Sequence, residues 1–170
     1  MIKMWKTFIL IIGAIGLLGC KADPSGALEF QDKECRLIAE CVVKTEEKSE
    51  YIVEIFHRPD GSGEILFMTP ETIAGCKYLR TASGEYSFQA DDMIFPVAEN
   101  PTTKAIFSLF MLSEESLIQA STDEMSGETL NILRFEGDRT LYLGQNGQPL
   151  YYDHPNVTMT MRSMTKCTNE

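Results

Sequence analysis

Two histidines, five cysteines and nine methionines are the residues of this 170-residue chain whose chemistry could set a function. His57 closes an alternating run and His154 lies in Tyr151-Tyr152-Asp153-His154-Pro155. Neither falls in a Gly-x-Ser-x-Gly elbow or a His-Glu-x-x-His pair, and no phosphate-cradling glycine loop is present, so the expectation is a non-catalytic chain without a resident cofactor. Thioethers with imidazole favour Cu(I) in an oxidising compartment, which makes His154, Met159 and Met161 a candidate for copper handling. On a regular strand Met159 and Met161 share a face while Met164 takes the other, so methionine as pliable core filler is the stronger expectation. The acidic pairs Glu46-Glu47, Asp91-Asp92 and Glu114-Glu115 could hold Ca²⁺ or act as acid and base, and are read as turn and surface charges.

Setting Cys20 aside, Cys35, Cys41, Cys76 and Cys167 are an even number, which in an exported chain reads as two disulfides. Structural zinc sites use ligand pairs two to four residues apart, whereas these cysteines are separated by 6, 35 and 91. Six residues span roughly 20 Å in a strand or 9 Å in a helix, and a disulfide tolerates at most about 7 Å between Cα atoms. Cys35 and Cys41 are therefore expected to bond elsewhere. Two connectivities stay open: Cys35 with Cys167 and Cys41 with Cys76, or Cys35 with Cys76 and Cys41 with Cys167.

The front of the chain explains why export is expected. Two lysines within residues 1–6 precede an uncharged run from Thr7 to Leu18, too short for the ~20 residues of a spanning helix. Leu17-Leu18-Gly19-Cys20 resembles the lipobox of bacterial lipoproteins. The resemblance implies removal of residues 1–19, acylation of Cys20, and, with Lys21 rather than Asp after it, an outer-membrane address facing the periplasm. Residues 20–28 then read as the lipidated cysteine and its tether, and 29–170 as the periplasmic domain.

Composition sets the class of that domain. Hydrophobic residues make up 44% and charged residues 24%, an ordinary globular mix that excludes a disordered tail. The net charge of −10 repels phosphate, so nucleic acid and anionic lipid surfaces are poor partners.

Period-two alternation dominates the rest. Tyr51 to His57 and Glu64 to Thr69 flank a Pro-Asp-Gly turn; Cys76 to Leu79, Glu85 to Gln89, Met93 to Val97 and Lys104 to Leu112 are further strand-length runs. Thr129 to Phe135, Arg139 to Leu143, Leu150 to Tyr152 and Val157 to Cys167 complete the series. Asp32 to Lys48 fits a strand with Cys35, Leu37, Ala39, Cys41 and Val43 inward better than a helix, and Ser113 to Met125 is open to either. The fold expected is mainly β: a single antiparallel β-sandwich or barrel with room for one short helix and two disulfides.

One internal string, Arg80-Thr81-Ala82-Ser83-Gly84-Glu85-Tyr86, resembles a Ser-Gly and Tyr stretch of the membrane-bound inhibitors of c-type lysozyme. That resemblance implies Ser83 as an inhibitor contact. The family's following Lys-Gly is missing here, and Lys104 is the only nearby lysine to take its place. The expected function is thus a lipid-anchored, non-catalytic envelope protein binding another envelope protein, with lysozyme inhibition and copper handling as alternatives.

Overall fold

The structure, a computed structural model, describes residues 26–46, 48–125 and 127–166; the leader, Cys20 and Cys167 lie outside them. A 3-10 turn, Glu29–Asp32, leads into β1 (Cys35–Val43), β2 (Ser49–His57), β3 (Gly63–Thr69), β4 (Lys77–Arg80), β5 (Tyr86–Ala90) and β6 (Met93–Val97). Helix α1 (Pro101–Ser108) follows, with 3-10 turns at Leu109–Met111 and Glu114–Ser116. The chain then returns through β7 (Leu117–Met125), β8 (Glu128–Phe135), β9 (Arg139–Leu143), β10 (Pro149–His154) and β11 (Val157–Lys166).

All eleven strands form one antiparallel sheet in the order β6-β5-β4-β3-β2-β1-β11-β10-β9-β8-β7. It does not close, so the expected sandwich or barrel is corrected to a single open sheet. Two meanders, β1 to β6 and β7 to β11, meet where β1 pairs with β11. Curvature replaces closure. Helix α1 touches both meanders: a Cβ on Gly63 of β3 would press on the Phe107 ring at 3.1 Å, and Ser108 bonds Tyr152 of β10. Those strands stand four spacings apart, roughly 19 Å in a flat sheet, so the sheet must curl around a helix about 10–12 Å wide.

The core is the inner face of that curl. In β1 every second residue, from Cys35 through Leu37, Ala39 and Cys41 to Val43, is buried, as the strand reading of this segment expected. Leu133, Phe135, Leu141, Leu143, Tyr152 and Met159 supply the other half, and Ala105, Ile106, Phe107 and Leu109 fill the space between. Ala27 and Leu28 already pack against this cluster, ahead of Glu29.

The helix corrects a sequence expectation, because Lys104 to Leu112 read as a strand. Asn100 starts it: the Asn100 Oδ1 accepts hydrogen bonds from the Thr102 and Thr103 N–H groups at 2.8 and 3.4 Å, and Pro101 occupies the first helical position. The open segment Ser113 to Met125 becomes a 3-10 turn and then strand β7.

Strand β11 holds a second correction. The register of β1 on β11 shifts between Ile38 and Ala39, leaving Arg162 as an extra residue. Alternation flips there, and Met164 packs against the core with Met159 and Met161 instead of facing away.

Sheet order also revises the disulfides. Cys76 lies beside Phe67 of β3, whose N–H it accepts at 3.0 Å, and three strand spacings separate it from β1. That is about 14 Å, twice what a disulfide spans, so Cys76 bonds neither Cys41 nor Cys35. Continuous strand from Cys35 to Val43 also excludes a Cys35–Cys41 bond.

Candidate functional site: an aromatic row on the inner face

The meander of β4, β5 and β6 is three adjacent strands in which no residue is buried. It is nonetheless apolar. Register places Tyr78 opposite Phe88 and Phe88 opposite Phe95. Directly opposed residues of an antiparallel pair share a face, and Tyr78 shares its face with Ile65 of β3, so all three rings point inward.

These rings continue inward as a row. Tyr51 meets Phe67 edge-on with centroids 5.6 Å apart, Phe67 meets Tyr78 at 6.2 Å, and Tyr78 meets Phe88 at 5.2 Å. With Phe95 the row crosses five strands, β2 to β6, about 19 Å at four strand spacings. Exposure climbs along it, from 9% at Phe67 to 46% at Phe95. Tyr51, Phe67, Tyr78 and Phe88, with Val43 and Ile73, wall a pocket of ≈ 370 Å³ whose remaining lining is the hydroxyls and amide of Thr45, Ser49, Asn100, Thr102 and Thr103. An apolar wall with a polar end suits a ligand that is greasy along most of its length. The site was not among the residues singled out from sequence, because its members are spread over five strands and only register aligns them.

Strand β6 is also a sheet edge. Met93 and Ile94 are 58% and 59% exposed. The two-residue turn Asp91-Asp92 makes Ala90 and Met93 the closing pair, so Phe95 is bonded to β5 while Ile94 and Pro96 direct their backbone groups outward. Proline removes one of the two outward donors and discourages an added strand there.

The residues proposed from sequence lie elsewhere. Ser83 sits in the β4–β5 turn, its hydroxyl 2.8 Å from that of Thr81. Lys104 is on helix α1, where Glu99 takes its ammonium at 2.8 Å and raises its pKa. Lys104 lines a pocket of ≈ 410 Å³ with Arg139 and His154, whereas Gly84 and Glu85 of the Ser83 turn line another with Tyr86 and Glu99. Glu99 stands between the two positions, lining the pocket beside the Ser83 turn and pairing with Lys104.

Met159 is fully buried opposite Tyr152 and Cys41. His154 stands opposite Val157, its Nδ1 accepting the Asn156 N–H at 3.1 Å. Burial, then Arg139 and Lys44, push the His154 pKa down. Among the described residues no group of three or more His, Cys, Asp or Glu side chains is placed to hold a metal.

Two buried polar contacts fix the inner face. The Ser108 and Tyr152 hydroxyls are 2.8 Å apart, and Ser108 also donates to the Ala105 carbonyl at 2.6 Å. His57 stacks on Phe110 at 4.4 Å between centroids, and its Nε2 donates to the Gln31 carbonyl at 2.8 Å. Burial pushes the His57 pKa down, and burial, chiefly, lifts the Cys41 thiol to about 12, where it is a small apolar group and no nucleophile.

No protein-family model matches the sequence, and no curated protein matches it. Among solved structures, MucB superposes with a TM-score of 0.54 at 14% identity, over 89% of this chain and 61% of that one. The chain is similar to MucB in fold. It spans about three-fifths of MucB's length. An outer membrane lipoprotein-sorting protein domain from Vibrio parahaemolyticus matches with a TM-score of 0.43 and 10% identity, covering 87% of this chain and 95% of that one. A LolA superfamily protein from Nitrosomonas europaea matches at 0.44 and 7%, covering 86% and 94%. MucB of Pseudomonas aeruginosa has also been solved in complex with MucA.

Proposed function

We propose that this chain is a non-catalytic envelope protein, tethered to the outer membrane through an acylated Cys20, that holds an apolar segment of another envelope protein on its aromatic row. The observation that carries the reading is the row itself: Tyr78, Phe88 and Phe95 in register across β4 to β6, continued by ring contacts through Phe67 to Tyr51, with the Tyr51 end beside the start of helix α1 and the Phe95 end bare. Exposed aromatics in one contiguous line are costly to leave in water and mark a surface that is covered in use. The lipobox supports the tether and the address, and MucB, similar in fold, itself assembles with MucA.

A photo-crosslinking side chain introduced at Phe95 of the full chain in living cells tests this. Adducts to an envelope protein from Phe95, and none from Thr160 on the outer face of β11, are expected. Equal adducts from both positions, or adducts only to lipid from Phe95, overturn the reading.

A further inference from the structure

We propose that the segment held on the aromatic row is a cationic amphipathic helix, an inference that rests on the protein-binding reading above and specifies its ligand. The shape of the surface selects a helix. The bare part of the row, from Tyr78 to Phe95 across two strand spacings, is about 10 Å long, which matches roughly two turns of helix, about 7 residues. Pro96 withholds an outward donor at the bare end, so a partner arriving over β6 gains little from extending the sheet and most from laying side chains on the rings.

Charge selects the sign. The row crosses the middle of β4, β5 and β6, and acidic residues stand at both ends of those strands. Asp91 and Asp92 form the β5–β6 tip and are exposed, with no ion-pair partner among the described residues. Glu85 and Glu99 stand at the opposite end beside Tyr86, whose hydroxyl donates to Glu99 at 3.4 Å. Cations near the row are already engaged. Lys104 is held by Glu99, and Arg80 donates to the Gly61 carbonyl. Lys77 bonds Glu64 on the outer face at 3.1 Å. The Asp91-Asp92 side is thus the stronger field.

Five-residue strands place the two acidic ends roughly 17 Å apart. A helix lying along the row, with its axis midway, brings flanking lysine side chains to both ends while its apolar face rests on Phe88 and Phe95. The chain's net charge of −10 adds long-range attraction for such a partner and opposes an anionic lipid surface as the occupant.

Two fluorescent synthetic helices with the same Leu and Phe face, one flanked by Lys and one by Glu, distinguish the outcomes with the purified chain. The Lys helix should bind about tenfold tighter at low salt, and the ratio should shrink to about twofold when salt screens the charges. Asp91→Asn with Asp92→Asn should reduce the ratio at low salt, whereas Phe95→Ser, checked for an unchanged circular dichroism spectrum, should abolish binding of both. Equal binding of the two helices overturns the charge and leaves the apolar reading standing. Binding of neither overturns both. Phe95-dependent sedimentation with phosphatidylglycerol vesicles makes a lipid surface the occupant and overturns the protein partner.

Discussion

Strands β1 and β5 are written in a similar alphabet and end in opposite environments. Strand β1 places Leu37, Ala39 and Cys41 on the inner face at zero exposure, whereas β5 places Tyr86, Phe88 and Ala90 on the same face and buries none of them. The difference lies in what stands across from each. Helix α1 and the second meander cover β1, whereas β5 lies between the unburied strand β4 and the edge strand β6. Apolar area withdrawn from water at about 25 cal/mol per Å² stabilises the first region and leaves the second able to gain from a partner. On the proposed function, stability and binding fall to different strands of one sheet.

The cysteines divide along the same boundary, and the largest effect should come from them. Lys166, the last described residue of β11, has its Cα opposite Cys35, and we propose that Cys167, which follows it, bonds Cys35. A loop of over a hundred residues closed by that bond restricts the unfolded chain by about 4.7 kcal/mol in the chain-entropy model. Non-reduced peptide mapping should find the Cys35–Cys167 peptide, with Cys41 and Cys76 alkylated only as thiols. Denaturant midpoints with and without reductant should differ accordingly. Four free thiols in the mature chain would break the proposal.

Within the packed region, Leu37→Ala should destabilise by about 2–5 kcal/mol, since its side chain is fully enclosed between the sheet and the core cluster. Urea unfolding followed by circular dichroism measures it. A loss below about 1 kcal/mol would mean that β1 is no better packed than the β4–β6 meander and that the contrast between them is false.

Protonation should separate the regions more gently. His57 is buried and its pKa is lowered from 6.5, so the folded state keeps it neutral while the unfolded chain takes up a proton as pH falls. Its contribution is fully present above pH 6.5 and is lost progressively as pH drops below that value. Stability measured at pH 7.5 and 5.5 should therefore fall in the parent, and fall less in His57→Phe, which keeps the stack on Phe110. His154 is lowered too, so His154→Gln is the necessary companion. An unchanged pH dependence in His57→Phe would show that the strut between the Gln31 turn and Phe110 does not sense pH.

Much of this architecture was legible because a half-buried strand leaves a period-two trace, as in β1, β2 and β3. Helix α1 was missed for a physical reason. It is short and buried over most of its surface, so residues 105–110 are all buried, apolar but for Ser108, and carry no helical period. Asn100-Pro101, which reads as a turn, was the usable cue, since an asparagine cap before proline is also how a helix begins. Met164 was misplaced because a one-residue bulge changes no letter of the sequence. The aromatic row was invisible for a related reason: Tyr51 and Phe95 become neighbours of one surface only after four strand pairings fix order and register.

The smallest stability effect should come from the edge strand, and it is the most discriminating. Ile94 and Phe95 are adjacent, similarly exposed at 59% and 46%, and point to opposite faces of β6. Replacing either with Ser removes little buried area, so both variants should unfold within about 0.5 kcal/mol of the parent. Their binding should differ sharply. Phe95→Ser takes the outermost ring from the inner row and should lose the partner, whereas Ile94→Ser alters only the outer face and should keep it. Equal loss in both variants would mean that the partner grips the whole edge of β6 and not the row. Equal retention would mean that the exposed aromatics are covered by nothing, and that the inner pocket beside Tyr51 and Phe67 acts alone.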